Sequence, residues 1–266
     1  MNIIVPIKQV PDTQDVRMDP ETGTMIRSGS GAIVNPLDLY AVEAALELRR
    51  RHGGRVTAVT MGPPPAERAL RDAIALGCDD ALLVSDRRFG GSDTWATSYT
   101  VAEAIRTVGA FDLVITGERA TDGDTGQVGP GIAAWLDLPL GTFVSRIGPV
   151  ANHRITVERM TEEGYQMVEL ALPALLTVVK EIVSPGLPTL AGKRRARAAD
   201  IPRLSAADLN LNEGSIGLAG SPTRVVRIDT PRVGREGTVV HTADSGDVTV
   251  VVDALMSFLA ERELLP

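Results

Sequence analysis

Residues 116–130 read Thr-Gly-Glu-Arg-Ala-Thr-Asp-Gly-Asp-Thr-Gly-Gln-Val-Gly-Pro, and their chemistry is the easiest in the chain to name. Gly123, Gly126 and Gly129 let the backbone come close to a ligand, and a helix beginning near Val128 offers free amides in its first turn. That combination suits a phosphate group. Asp122 and Asp124 sit badly beside an anion; they fit as helix caps, or as acceptors for ribose hydroxyls while main-chain amides hold the phosphates. The plainer account is a polar surface loop with an ordinary cap. A long Gly/Asp loop at the end of a strand is more often functional, and the binding account is preferred.

A second loop, residues 86–98, reads Asp-Arg-Arg-Phe-Gly-Gly-Ser-Asp-Thr-Trp-Ala-Thr-Ser. Ser92, Asp93 and Thr94 can each cap the helix that follows. Thr94 and Thr97, three apart, share a face of its first turn and can instead offer hydroxyls to a ring system. The two accounts stand level. No Gly-x-Gly-x-x-Gly follows the first strand, so the standard dinucleotide fingerprint is absent. Residues 186–193 fail as a phosphate loop, because five residues separate the glycines and Arg194 replaces the hydroxyl residue. Residues 90–94 are like the pyrophosphate loop of adenylating enzymes but follow the third strand instead of the first, which leaves an adenylating ligase as a remote alternative.

Both loops need a scaffold that brings them together. Residues 2–10 read as a buried strand, and residues 16–18 and 24–26 as a small hairpin around a turn at 19–23. Asn35-Pro36 opens a helix that Gly53-Gly54 ends. Strands at 55–61, 81–85 and 111–116 alternate with helices at 65–76, 94–108 and 128–135. This alternation predicts a doubly wound, mostly parallel α/β sheet, with ligands outside the carboxyl ends of its strands. Short strand patterns at 142–147, 154–160, 165–170 and 175–179 predict antiparallel strands added to the sheet. After Pro185 the pattern is irregular, with a basic run at 193–197 that is usually a solvated face, and a terminal helix at 248–265. The expected division is therefore a nucleotide-binding domain over 1–184 and an extended carboxyl-terminal arm over 185–266 that needs a partner's surface.

Composition narrows the function further. The 266 residues are 44% hydrophobic but only 3% aromatic, so the core must be built from Val, Leu, Ile and Ala. A net charge of −7 argues against a nucleic-acid partner. Cys78 is the only cysteine and is expected to be a small buried residue; the three histidines show no ligand spacing, so no metal is expected. No apolar run reaches membrane-spanning length and no targeting segment opens the chain, which predicts a cytoplasmic protein without membrane insertion.

Ile7-Lys8-Gln9-Val10-Pro11-Asp12-Thr13, Asn35-Pro36-Leu37-Asp38, Val59-Thr60-Met61-Gly62-Pro63, residues 116–130 and Leu172-Pro173-Ala174-Leu175-Leu176-Thr177-Val178 occur in an order and spacing that resemble the β subunit of electron-transfer flavoproteins. The resemblance covers nearly the whole chain. It implies an α/β domain holding an adenine nucleotide and an arm that embraces an α subunit carrying its own FAD. Carried over by motif, the nucleotide touches Pro6, Lys8, Asn35, Asp38 and Met61, and the loop through Asp122, Gly123, Asp124, Thr125, Gly126, Gln127, Val128 and Gly129. Leu190 matches the family's partner-anchoring leucine, which docks a dehydrogenase or quinone reductase.

The family has an AMP-holding kind and an electron-bifurcating kind whose β subunit holds a second FAD. The Asp-Gly-Asp-Thr-Gly-Gln-Val-Gly-Pro run at 122–130, with Ser92-Asp93-Thr94 and Ala96-Thr97-Ser98, is similar to the second kind. The resemblance then implies a FAD between the two loops that takes electrons from NADH and passes them to the α-subunit flavin and to a low-potential acceptor such as ferredoxin or flavodoxin. Thr94 and Thr97 would lie near the reactive edge of the flavin ring. No protein nucleophile is implied, and no activity of the chain alone; AMP is the alternative occupant. Three departures from the family pattern stand out: Gly126 for an alanine, Arg119 for an uncharged polar residue, and Gly186 for the arginine after Pro185.

Overall fold

The structure is a computed structural model that describes residues 1–12, 17–18, 25–26, 31–226 and 248–264. It divides into two units, Met1–Arg227 and Ile228–Pro266. In chain order the first holds β1 (Asn2–Pro6), β2 (Gln9–Pro11), β3 (Arg17–Met18), β4 (Met25–Ile26), β5 (Ala32–Val34), α1 (Pro36–His52), β6 (Arg55–Met61), α2 (Glu67–Leu76) and β7 (Asp80–Val84). It continues with α3 (Thr94–Val108), β8 (Leu113–Gly117), α4 (Val128–Leu136), β9 (Leu140–Ala151), β10 (Arg154–Thr161), β11 (Gly164–Ala171), β12 (Ala174–Val178), α5 (Leu190–Ala198) and β13 (Arg203–Leu204). The second unit contains α6 (Thr249–Ala260), which buries none of its residues.

Nine strands form one sheet in the order β11-β10-β9-β12-β8-β1-β6-β7-β13. From β9 to β13 all neighbours are parallel, and β10 and β11 are added antiparallel at the other edge. Period-two alternation explains how a Val/Ile/Leu-rich strand serves two cores at once. Ile3, Val5, Leu113, Ile115, Leu176 and Val178 face the layer of α1, α2 and α5. Ile4, Val114 and Leu175 face the layer of α3 and α4. The chain lays β1, β6 and β7 in one direction, then crosses back past β1 to place β8 on its other side. The strand order therefore reverses between β1 and β8, which is where such a sheet opens a crevice at its carboxyl ends.

Most expected elements are found, and the differences have physical causes. The single strand read over 2–10 breaks into β1 and β2. Ile7 N–H still donates to Val59 O (2.8 Å), but Lys8 N–H turns to the Asp38 carboxylate (2.7 Å), and β2 leaves to pair with β5. Residues 17–18 pair with 25–26 as the hairpin reading expected, while its turn lies outside the described residues. The strand read over 175–179 does not join the antiparallel set. It is buried at every position and inserts between β8 and β9, parallel to both. Residues 190–198, read as irregular, form α5, capped by Thr189 accepting from Gly192 N–H (2.9 Å).

The basic run is only partly a solvated face. Arg195 donates to the carbonyls of Ile74 and Cys78 at the end of α2 (2.8 Å each), while Lys193, Arg194 and Arg197 are exposed. Cys78 is buried and desolvation pushes its thiol up to about 12, which keeps it in the neutral form. No helix among the described residues is long and apolar enough to cross a membrane.

Leu176 is fully buried on the central strand β12. Leu176→Ala should destabilise the protein by about 2–5 kcal/mol, from lost transfer energy and the cavity left behind. Equilibrium denaturation measures this, and a loss below about 1 kcal/mol would contradict the central position of β12.

Candidate functional site

The two polar residues at the start of α1 organise the crevice. Asn35 occupies the cap position, but its side chain does not cap the helix. It crosses instead to the loop after β8, donating to Arg119 O (2.9 Å) and accepting from Thr121 N–H (3.2 Å). Asp38, one turn on, accepts from Lys8 N–H in the loop after β1 and is hydrogen-bonded by the Gly117 backbone at the end of β8. Lys8 Nζ in turn donates to Asp122 (2.6 Å). One helix start thus fixes the loops on both sides of the strand-order reversal. Asn35 is fully buried and Asp38 nearly so, and both have polar partners, as burial requires.

Beside this clasp lies a cavity of about 620 Å³. Pro6, Lys8, Asp38, Met61, Ser92, Asp93, Thr94, Thr97 and residues 123–129 all line it, so the structure brings together residues from four loops separated widely in the chain. Two expected residues support it from behind the wall. Asn35 acts through Arg119 and Thr121, and Asp122 through Lys8. Leu190 lies elsewhere, at the start of α5, where it is 68% exposed.

The main-chain cradle expected at residues 123–130 is present in outline. α4 begins at Val128, and Gly131 N–H is the first amide to close a helical bond, to Gln127 O (2.9 Å). Pro130 has no N–H, so Val128 and Gly129 supply the free amides of the first turn, on the side where both line the cavity. A Cβ on Gly129 would come within 2.7 Å of Thr116 Oγ1 and 2.8 Å of Thr177 Cγ2, so only glycine fits there. Gly126 has φ +64°, a conformation that glycine adopts without penalty. Asp124 also has positive φ and stands near Arg119 Nε (3.3 Å), which ties the departing arginine into the loop.

The second wall settles which hydroxyls are engaged. Ser92 donates to Phe89 O (2.8 Å). Asp93 caps α3 by accepting from Ala96 N–H (3.1 Å). Burial pulls its carboxyl up, but hydrogen bonds from Thr223, Ala96 and Trp95 outweigh that and hold it below the usual range. Thr94 reaches across the crevice and donates to Gln127 Oε1 (3.0 Å), so the two loops are bridged. Thr97 lines the cavity with no hydrogen-bond partner for its hydroxyl among the described residues.

Sequence reading missed Thr116. It is buried in the cavity wall, and its Oγ1 has no hydrogen-bond partner. A buried, unsatisfied hydroxyl costs about 1–3 kcal/mol, and this one lies against Gly129 at the start of α4. The available signal was a threonine at the end of an otherwise apolar strand. Arg68 at the rim was missed as well, since nothing in the α2 pattern distinguishes it from a solvated arginine.

The residues present fit an adenine nucleotide with phosphates: amide donors at a helix start, a glycine where a Cβ would clash, an unsatisfied hydroxyl and nearby cations. Comparison with known proteins agrees with the geometry. Residues 22–209 match the model of the electron transfer flavoprotein domain. The chain is 42% identical to electron transfer flavoprotein subunit beta of Thermoanaerobacterium thermosaccharolyticum, over the full length of both. It is 42% identical to caffeyl-CoA reductase-Etf complex subunit CarD of Acetobacterium woodii, again over the full length of both. It is 44% identical to protein FixA of Azorhizobium caulinodans, over 99% of this chain and 95% of that one.

Desolvation raises the Asp38 carboxyl from its usual 3.8 to about 7, against the lowering effect of its hydrogen bonds and of Lys8. Because the folded value exceeds the unfolded one, this group's contribution to stability is complete below pH 3.8 and is lost as pH rises through about 7. Asp38→Asn keeps an acceptor for Lys8 N–H without a titrating group. The gap in melting temperature between the variant and the wild type should therefore move in the variant's favour between pH 5 and pH 8. A gap that stays constant over that range would contradict the burial of this carboxyl.

Proposed function

We propose that this chain, which belongs to the electron-transfer flavoprotein family as a β subunit, holds a FAD in the 620 Å³ cavity and serves electron bifurcation in complex with an α subunit. The observation that carries the reading is the single cavity lined jointly by the loops after β1, β6, β7 and β8. Its volume lies in the middle of the range for cofactor-sized sites. Thr94, Thr97, Phe89 and Met61 line the same cavity as Val128 and Gly129.

In this reading the Val128 and Gly129 amides bind the diphosphate, helped by the α4 dipole and by Lys8 and Arg119 nearby. Asp124 accepts from ribose hydroxyls. Thr97 offers its hydroxyl to the ring system, and the Thr94–Gln127 bridge sets the spacing between the two walls. When bound, FAD would supply two-electron exchange with NADH and one-electron exchange with the α-subunit flavin and a low-potential acceptor such as ferredoxin or flavodoxin. The chain's own contribution is orientation, exclusion of water and electrostatic setting of the ring.

The Etf complex named for the Acetobacterium woodii relative supports the expectation of a heterodimer that works with a reductase. The exposed Leu187 and Leu190 offer an apolar contact for such a partner, and the residues beyond 227 are proposed to pack on the α subunit. Cytoplasmic location is part of the same proposal. The competing reading is a β subunit that holds AMP as a structural filler on the same cradle.

Cofactor content of the purified heterodimer separates the two. Two FAD per complex is expected, and one FAD with one AMP would overturn the bifurcating reading. Gly129→Ala should loosen the β-chain nucleotide on gel filtration, because the added methyl would clash with Thr116 Oγ1 and Thr177 Cγ2 and push the start of α4, with its free amides, out of place. Undiminished retention would contradict the placement of the diphosphate.

A further inference from the structure

After β13 the chain stays with the compact unit for another twenty residues or so. It runs back over the loop that follows β7, whose Phe89, Gly91 and Asp93 form one wall of the cavity. Ala206 N–H donates to Asp86 (3.1 Å), Asn212 N–H to the Tyr99 hydroxyl (2.8 Å) and Leu218 N–H to Gly90 O (3.1 Å). Ala206, Leu209 and Ile216 are buried in the same cluster as Phe89. No residue of this strap lines the cavity itself.

The strap ends in contacts of a different kind. Asp93 N–H donates to Ser221 Oγ (2.8 Å), which donates onward to Gly217 O (2.7 Å). The Asp93 carboxylate accepts from both the backbone N–H (2.9 Å) and the hydroxyl (2.7 Å) of Thr223 through Oδ2. Its other oxygen, Oδ1, caps α3 at Ala96. Capping a helix needs only one oxygen. The second is committed to a residue close to Arg227, where the compact unit ends. Hydrogen bonds to a carboxylate are among the stronger ones, so neither end of this arrangement shifts freely.

We propose that Asp93 is a positioning residue that couples the cavity to the root of the carboxyl-terminal segment, so that bound cofactor and a docked segment stabilise each other. One rigid carboxylate sets the first turn of α3, which carries Thr94 and Thr97 into the cavity, and also fixes Thr223. A cofactor that orders the α3 turn orders the Thr223 anchor, and a partner that holds the segment holds the cavity wall. Such coupling is reciprocal by thermodynamic necessity. The proposal rests on the reading of the cavity as a nucleotide site.

The test uses the assembled heterodimer with wild-type, Thr223→Val and Thr223→Ser chains. It reads the FAD retained above one per complex, together with hydrogen exchange at residues 221–226 before and after FAD is stripped from this chain. Thr223→Val should release that FAD about tenfold faster, an ordinary size for coupling between sites. Thr223→Ser, which keeps the hydroxyl, should retain it as wild type does, and exchange at 221–226 should slow when FAD is bound. Equal release from Thr223→Val and wild type, or exchange at 221–226 indifferent to FAD, would overturn the coupling and leave the nucleotide reading intact. A wild-type chain that binds neither FAD nor AMP would overturn the nucleotide reading, and the coupling with it.

Discussion

A parallel sheet that reverses its strand order must keep two neighbouring strand ends apart, and here a pair of buried polar side chains at one helix start does so. Asn35 holds the loop after β8 through Arg119 and Thr121, and Asp38 holds the turn after β1 through Lys8. Neither residue is accessible enough to be satisfied by water, so each is committed to the backbone it fixes. The cavity exists because these two loops diverge on either side of that clasp. Its depth follows from the apolar strands below, and its chemistry from what the loops carry.

The remaining walls are arranged so that little must move when a ligand enters. Asp93 sets the first turn of α3, Thr94 spans to Gln127, and Gly129 lets α4 start within touching distance of Thr116 and Thr177. Preorganised donors of this sort cost little ordering on binding. In the proposed reading the chain's role in redox chemistry is to hold and surround a cofactor that does the electron transfer.

Much of this was legible in sequence, for identifiable reasons. Strand and helix alternation is a period signal, and it located α1, β6, α3, β8 and α4 within a few residues. The glycine-punctuated loop stood out because its residue types are rare together, and its residues do line the cavity. What escaped was everything decided by partners distant in the chain. Asn35 looked like a cap and instead bridges to a loop 84 residues away. Leu175 and its neighbours looked like one more strand in a meander, yet their burial on both faces places β12 at the sheet's centre. The α5 helix was hidden by its run of basic residues, of which Arg195 satisfies carbonyls at the end of α2. Thr116 carries no local signal beyond being polar at the end of an apolar strand.

The central claim is that the amides opening α4 grip the diphosphate of a flavin dinucleotide. An experimental structure of the heterodimer purified with its native cofactors tests this most directly. The account predicts a diphosphate against the amides of Val128 and Gly129, with the flavin ring between the walls that carry Thr97 and Met61. A structure in which residues 116–130 turn away into solvent beside a vacant crevice would contradict it.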